Sequence, residues 1–423
     1  SGLFMFRRKK FLIRTVLLLL SFVFLLLLYI GFYNVKLKSY IQTCLNNQLC
    51  TRAENSSLRI KPFELQDMSE EFRNASTLPT TKLMVNSRVV IVAHGRSGSS
   101  FLGGVFNSHP DFFFIYEPLN QLKKIVNSSS KEYLHQAKDV VNSILNCHFT
   151  DDAFLRVLSR QSIYRASSRP LVSPPFCNTW HNKASNFLFR GNWTLCNDNI
   201  PSSALNELCG KHKNIAAKIL LECLEPADLT WLVEISNVFS VKVLYLVRDP
   251  RAMLYSRYKL GWVVPRNHFI HTLRNGTVSK EVQKVCNAME LNLGAVLLNP
   301  KNIKLIRFEE LVTNPETIVR DLFSELDISM STSVFQWIYE KTHGPVEKSA
   351  LSLSRQANDS INAWRKRIEH QYLRIIETQC ARVLKYLGYI PTHGSYEKLS
   401  DLNSPLYLKN MRDLRETYLW PDT

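Results

Sequence analysis

The sequence of 423 residues predicts an α/β domain in which a central parallel sheet is flanked by helices. From residue 88 onward, short runs rich in Val, Ile, Leu and Phe alternate with segments of helical period, the pattern of strand–helix repeats. Two of these runs, VVIVA at 89–93 and VKVLYLV at 241–247, lead straight into loops rich in Gly, Ser, Arg and Pro. Strands of a parallel sheet build ligand sites at their carboxyl ends in this way.

The elements follow in chain order. Residues 1–14 carry Arg7, Arg8, Lys9, Lys10 and Arg14 without an acid, as a cytosolic tail does. Residues 15–33 are nineteen uncharged residues, mostly Leu, Phe, Val, Ile and Tyr. At about 1.5 Å rise per residue they suffice for one membrane span, drawn here at 15–35. No small-x-small cleavage site follows, only GFYNVKLK, so the span reads as a signal anchor that leaves everything after residue 35 luminal. Residues 36–85 mix charges and isolated apolar residues without a sustained period and read as a luminal stem.

Residues 86–395 form the expected domain. Strands are predicted at 89–93, 112–116, 215–221, 241–247 and 303–308, with helices from Ser100, over 131–145 and near Trp231. Ile368, Tyr372, Ile375, Ile376, Cys380, Val383, Leu384 and Leu387 keep a 3.6-residue period before Gly388, a suitable C-terminal cap. Residues 160–210 lack periodicity and read as an irregular insertion, and residues 396–423 as a tail.

The formal charge is +17; setting aside the five cytosolic cations leaves 48 basic against 36 acidic side chains. That balance suits anionic ligands, and a luminal location argues against nucleic acid. Six N-x-S/T sequons, at Asn55, Asn74, Asn127, Asn192, Asn275 and Asn358, follow the span. All nine cysteines lie on the same side, without a CxxC pair or a Cys/His zinc pattern, and so read as structural disulfides. The odd count leaves room for a free thiol or for an interchain bond in a homodimer.

The chemistry is carried by the two loops. In HGRSGSS, Gly95 and Gly98 permit a tight turn, Ser97, Ser99 and Ser100 offer hydroxyl donors, and the helix that follows points its first amides at an anion. The nucleoside-triphosphatase loop is excluded, because it needs Lys-Ser/Thr after the last glycine, whereas Arg96 precedes Gly98. Alone, a Gly/Ser turn is usually only a turn. In RDPRAMLYSR, Arg248 stands at the strand end, Pro250 suits the first helical turn, and Ser256 lies two turns along. An arginine there presents a planar fork to phosphate, so the pair of loops reads as a site for a ligand with two anionic groups.

Together these loops resemble the two phosphosulfate-binding loops of sulfotransferases, most closely the Golgi carbohydrate 6-O-sulfotransferases acting on galactose, N-acetylgalactosamine or N-acetylglucosamine. The first family loop, Arg-Ser/Thr-Gly-Ser-Ser-Phe, is matched at 96–101, and the second, LVRDPR followed by SR, at 246–251 and 256–257. Further matches are FNSHPDFFFIYEPL at 106–119, RFEEL at 307–311, AWRKRI at 363–368 and LGY at 387–389. The resemblance implies a single P-loop-like domain in a type II Golgi enzyme. The donor would be 3′-phosphoadenosine 5′-phosphosulfate (PAPS), used without a metal, and the acceptor a glycan that could itself be anionic.

The resemblance also implies roles for particular residues. Arg96, Ser97, Gly98, Ser99, Ser100 and Phe101 would meet the 5′-phosphosulfate, and Arg248 and Ser256 the 3′-phosphate. Arg96 takes the place of the lysine of cytosolic sulfotransferases and would steady the leaving phosphate. Glu117 follows the second strand, at the same sheet edge, and is the candidate base; burial beside aromatics would raise its pKa. Lys218 resembles a strand lysine facing the active site, and Trp364 and Arg365 a segment near the nucleotide.

One departure concerns the acceptor. The family often continues Glu-Pro with a Trp-His pair, whereas this chain reads Glu117-Pro118-Leu119-Asn120-Gln121. Two other classes share the anchor, stem and sequons: a luminal glycosyltransferase and a non-catalytic glycan-binding relative. The first commonly uses an Asp-x-Asp metal site, which the sequence lacks. Retention of Arg96, Glu117, Arg248 and Ser256 speaks against the second.

Overall fold

The computed structural model describes residues 85–127, 131–178, 193–224, 229–263, 272–273, 276–344 and 357–408. The expected anchor at 15–35, nearly all of the stem, and the sequons at Asn55, Asn74, Asn192 and Asn275 lie outside the described residues. Among those described, no helix is long and apolar enough to cross a membrane.

Strands β1 (Ser87–Ala93), β2 (Phe112–Tyr116), β3 (Asn214–Leu220), β4 (Val241–Val247) and β5 (Ile303–Arg307) form one sheet in the order β2-β3-β1-β4-β5. Every pairing is parallel, and Ile91 of β1 sits opposite Lys218 of β3 and Leu244 of β4. The apolar runs that predicted these strands are near-continuous because both faces of the sheet are covered. Val90, Val92, Phe113, Ile115, Ile215 and Val243 enter one core, while Val89, Ile91, Phe112, Phe114, Ala216 and Leu244 enter the other.

In chain order the first helices are α1 (Ser99–Ser108), α2 (Pro118–Leu122), α3 (Lys131–Leu145), α4 (Asp152–Ser159), α5 (Ile163–Ala166), α6 (Ser202–Gly210), α7 (Thr230–Phe239) and α8 (Pro250–Lys259). They are followed by α9 (Thr277–Leu298), α10 (Phe308–Thr313), α11 (Pro315–Glu325), α12 (Thr332–His343), α13 (Ala357–Asn362), α14 (His370–Gln379), α15 (Ala381–Tyr386) and α16 (Tyr396–Ser400). Helices α1, α10, α11 and α12 cover the second core; α3, α4, α8, α9, α14 and α15 cover the first. Gly104 lets α1 approach α12, since a Cβ there would meet Trp337 Cζ2 at 2.2 Å.

The C-terminal stripe is buried at Ile368, Tyr372, Ile376, Cys380, Val383, Leu384 and Leu387, as its period requires. It is divided into α14 and α15 at Cys380, yet the i→i−4 hydrogen bonds continue from Cys380 N to Ile376 O and from Leu384 N to Cys380 O. The boundary at 395 is corrected. Ile390 N bonds Leu406 O, Leu408 N bonds Gly388 O, and Arg307 donates to Leu387 O and Leu408 O. The domain therefore runs at least to Leu408.

The described residues of 160–210 include helices α5 and α6 and are tied together by a buried arginine and a disulfide. Arg165, fully buried, donates to the carbonyls of Ser159, Leu171 and Asn197, and Cys177 pairs with Cys196. Cys147–Cys209 and Cys286–Cys380 complete the disulfides of the described residues, where Cys223 is the free cysteine.

Candidate functional site

All five strands run the same way, so their carboxyl ends share one edge. Because β1 lies between β3 and β4, the turn after β1 is flanked by the residues that follow those two strands. In that turn Arg96 (φ 73) and Gly98 (φ 87) are left-handed. Only glycine fits at 98, since a Cβ would lie 2.2 Å from Phe308 Cδ2. For Arg96 the left-handed backbone costs about 1–2 kcal/mol and persists because the surroundings hold it. Its carbonyl accepts from Arg248 Nη1 at 2.9 Å, and its own Nε donates to Ser256 Oγ at 3.1 Å.

Helix α1 then begins with no side-chain cap and no acid in its first turn, so neither its cap nor its own first turn neutralises the positive end of its dipole. Ser97 and Ser99 are buried, Ser100 is half-buried, and Phe101 packs into the core. The Ser97 hydroxyl points to Met253 Sδ at 3.4 Å.

The second loop is fixed from below. Asp249 caps α8 by accepting from Arg251 N, with Pro250 in the first turn as predicted. The Asp249 amide donates to Glu309 Oε1 at 3.0 Å, and Glu309 Oε2 accepts from Tyr389 at 2.8 Å. Arg248 also donates to Ser360 O at 2.6 Å, and its guanidinium lies 4.6 Å from the centre of the Phe308 ring. A third link between the loops comes from Arg257 Nε, which donates to Gly95 O at 3.0 Å. The loops legible in the sequence as two anion sites are thus one hydrogen-bonded unit, with Arg96 and Arg248 at its centre.

Sequence reasoning missed Glu222. It lies in the turn Leu221–Cys223 directly after β3, at the same edge, and an acid just beyond a parallel strand was the available signal. Its carboxylate accepts from Gly95 N at 3.1 Å, lies 3.2 Å from His94 Nδ1 and pairs with Arg257. Burial alone would push this carboxyl up; the His94 hydrogen bond and the charges of Arg257 and His94 outweigh burial and hold it well below the usual carboxylate range. With 32% of its side chain exposed, Glu222 ties the donor-side turn to α8 from the solvent side.

Glu117 ends β2 in a left-handed conformation (φ 48) and begins α2. Its Oε1 pairs with Lys218, and its Oε2 accepts from Asn120 Nδ2 at 2.5 Å. Lys218 is buried rather than extended toward solvent, with Nζ 4.6 Å from the centre of the Tyr116 ring. Burial alone would favour its neutral form, but the charges and hydrogen bonds of Tyr116 and Glu117 prevail and raise its pKa. The Tyr116 hydroxyl in turn lies 2.8 Å from Ser100 Oγ. A chain of polar contacts therefore joins the first loop to Glu117. The expected setting for Glu117 was burial among aromatics; its closest partners are instead an ammonium and a carboxamide.

Trp364 and Arg365 are not brought into this surface. The five N–H groups of Arg365 go to the carbonyls of Lys398, Leu399, Asp401 and Ser404 and to Asn362 Oδ1. With its whole donor set used in this way, Arg365, expected near the nucleotide, clamps residues 398–404. Trp364 is buried under Arg251, 5.0 Å from guanidinium carbon to ring centre, and packs a network in which Arg251 pairs with Asp249 and Glu377.

The surface that remains fits a ligand with two anionic ends: Arg96, Ser100 and the start of α1 toward one, Arg248 and Ser256 toward the other. The sequence pattern of the sulfotransferase family matches residues 88–332, more than half of the chain. Carbohydrate sulfotransferase 5 of Homo sapiens is 29% identical over 351 residues, which cover 76% of this chain and 81% of that protein. Carbohydrate sulfotransferase 6 of Homo sapiens is 29% identical over 341 residues, 73% of this chain and 82% of the relative. Carbohydrate sulfotransferase 1 of Danio rerio is 26% identical over 363 residues, 77% and 80% of the two chains. Among solved structures, the sulfotransferase domain from the curacin biosynthetic pathway covers 70% of this chain and 98% of its own, at 18% identity and a TM-score of 0.33. The matched segment starts within β1, ends at the first residue of α12 and contains both anion loops and Glu117, and the chain belongs to the sulfotransferase family.

Proposed function

We propose that this chain transfers a sulfuryl group from PAPS to the 6-hydroxyl of a GlcNAc, Gal or GalNAc residue in a glycan, by in-line displacement. The observation that carries the proposal is the joining of the two basic loops at one sheet edge, with Arg248 on the Arg96 carbonyl and Arg96 on Ser256, beside a carboxylate linked to the same loop through Tyr116 and Ser100. The names of the relatives supply the carbohydrate acceptor. PAPS, when bound, supplies an activated sulfuryl group and an anionic leaving group.

The residues divide the work. Arg248 and Ser256 hold the 3′-phosphate. Ser100 and the first amides of α1 bind the 5′ end, and Arg96 meets charge collecting on the leaving oxygen, where a fixed guanidinium in a partly dry site is most effective. Glu117 takes the proton of the sugar hydroxyl, and Lys218 holds one oxygen of its carboxylate in place. We place the enzyme in the Golgi membrane, anchored through residues 15–35 with the domain luminal; the three disulfides favour an oxidising compartment.

The test is transfer of label from radioactive PAPS to a panel of desulfated glycans, with linkage analysis of the product. Label at a sugar 6-position is expected. Label on none of the acceptors, together with no affinity for adenosine 3′,5′-bisphosphate, would refute the proposal. A glycosyltransferase would instead transfer sugar from a nucleotide sugar in the same panel.

A further inference from the structure

We propose that Asn120, held in one amide orientation by the Cys223 thiol, is a positioning residue that aims the Glu117 carboxylate at the acceptor hydroxyl; this rests on the assignment of Glu117 as base. Asn120 lies in the stretch after Glu-Pro where the sequence departs from the family it resembles. Its amide donates to Glu117 Oε2 at 2.5 Å, and its Oδ1 accepts from Cys223 Sγ at 3.2 Å. The backbone closes the same turn, with Asn120 N on Glu117 O at 3.1 Å.

The chemistry of the three groups permits one arrangement. An ionised carboxylate only accepts, and a thiol is the donor in its pair with a carboxamide oxygen. Turning the amide over would set its oxygen against the carboxylate and its NH₂ against the thiol. Cys223 keeps its proton: burial, with smaller contributions from the charges of Glu117 and Glu222, pushes the thiol up to about 12, although Lys123 acts the other way. With Lys218 on Oε1 and Asn120 on Oε2, neither carboxylate oxygen can rotate without breaking a bond. A carboxylate has about four acceptor sites, so both oxygens retain capacity for a substrate proton. The groups facing Glu117 are Lys218 from β3, Tyr116 from β2, Tyr164 from α5, Asn120 from α2 and Cys223 from the turn after β3.

The test compares wild type with Asn120→Ala, Asn120→Asp, Cys223→Ala and Cys223→Ser. The readouts are kcat and KM against pH, calorimetric binding of adenosine 3′,5′-bisphosphate, and infrared titration of the Glu117 carboxyl, assigned by difference from Glu117→Gln. Asn120→Ala should lower kcat about tenfold to a hundredfold, the scale of a misplaced catalytic group, with bisphosphate affinity kept within about twofold. Asn120→Asp sets two carboxylates together, and should move both the acid limb of kcat and the infrared titration up by about one pH unit or more. Cys223→Ser, which keeps the donor, should hold activity near wild type, whereas Cys223→Ala should fall toward Asn120→Ala.

Unchanged kcat and pH profile in Asn120→Ala, or equal losses in the two Cys223 variants, would overturn the inference. Should wild type bind the bisphosphate but transfer to no acceptor, the assignment of function fails, and the infrared titration still decides: no shift in Asn120→Asp removes the positioning contact as well.

Discussion

Lys218→Met isolates the buried charge pair on which Glu117 depends. The two side chains are 2% and 10% exposed, so removing the ammonium leaves a buried carboxylate beside Tyr116 with Asn120 as its remaining partner. Breaking one partner of such a pair costs about 3–5 kcal/mol, while replacing both with neutral groups of similar size costs far less. Methionine keeps the length of the lysine stem, which limits the cavity contribution. At about 2–4 °C per kcal/mol, a slope for somewhat smaller domains, the melting temperature should fall on the order of 10 °C. The double variant Lys218→Met/Glu117→Gln should recover most of that loss.

The pH dependence adds a second check. In the single variant the stranded carboxyl is stabilised by taking a proton, so its folded pKa rises above the unfolded one; the loss is full at neutral pH and shrinks as the pH falls. Guanidinium unfolding followed by tryptophan fluorescence, at two pH values, measures both effects. A loss below about 1 kcal/mol, or a double variant no more stable than the single one, would refute the reasoning.

Three further outcomes follow from the site. Gly98→Ala forces a left-handed alanine against Phe308 at 2.2 Å and should cost about 2–4 kcal/mol, while lowering affinity for adenosine 3′,5′-bisphosphate by more than about tenfold in calorimetry; wild-type affinity would contradict the tight approach. Glu222 has its carboxyl held down in the folded state, so its stabilisation is complete above the unfolded value of about 4.3 and is lost as the pH drops below it. Glu222→Gln should therefore melt below wild type at neutral pH, with the gap narrowing under about pH 4, and a gap independent of pH would oppose the assignment. Arg365→Ala should expose residues 398–404 to protease and lower stability by about 2–3 kcal/mol without weakening bisphosphate binding; weakened binding at unchanged stability would restore it to the nucleotide site.

Much of the fold was legible because its signals are local. FFFIY at 112–116 and VKVLYLV at 241–247 are strands at their predicted bounds, and 131–145 is the predicted helix, since a covered parallel strand must be apolar throughout and a half-covered helix must be striped. The loops were legible for the same reason: Gly98 and Pro250 mark a left-handed turn and a helix start wherever they occur. What the sequence withheld is long-range. Glu222 and Gly95 are 127 residues apart, and only the placement of β3 beside β1 brings them together. The clamp made by Arg365 was not legible, because four of its five partners are main-chain carbonyls more than thirty residues away, which carry no side-chain signature. The ammonium partner of Glu117 was hidden in the same way, because Lys218 reaches it from β3, 101 residues on, whereas Asn120 is only three residues away.

The most direct test of the central claim pairs wild type with Glu117→Gln in one experiment: label transfer from radioactive PAPS to the best acceptor of the glycan panel, alongside calorimetric binding of adenosine 3′,5′-bisphosphate. Wild type is expected to label the sugar 6-position, and Glu117→Gln to bind the bisphosphate with wild-type affinity while losing about a hundredfold or more in turnover, the contribution of a positioned base. Turnover retained by Glu117→Gln would contradict the role given to the carboxylate at this sheet edge.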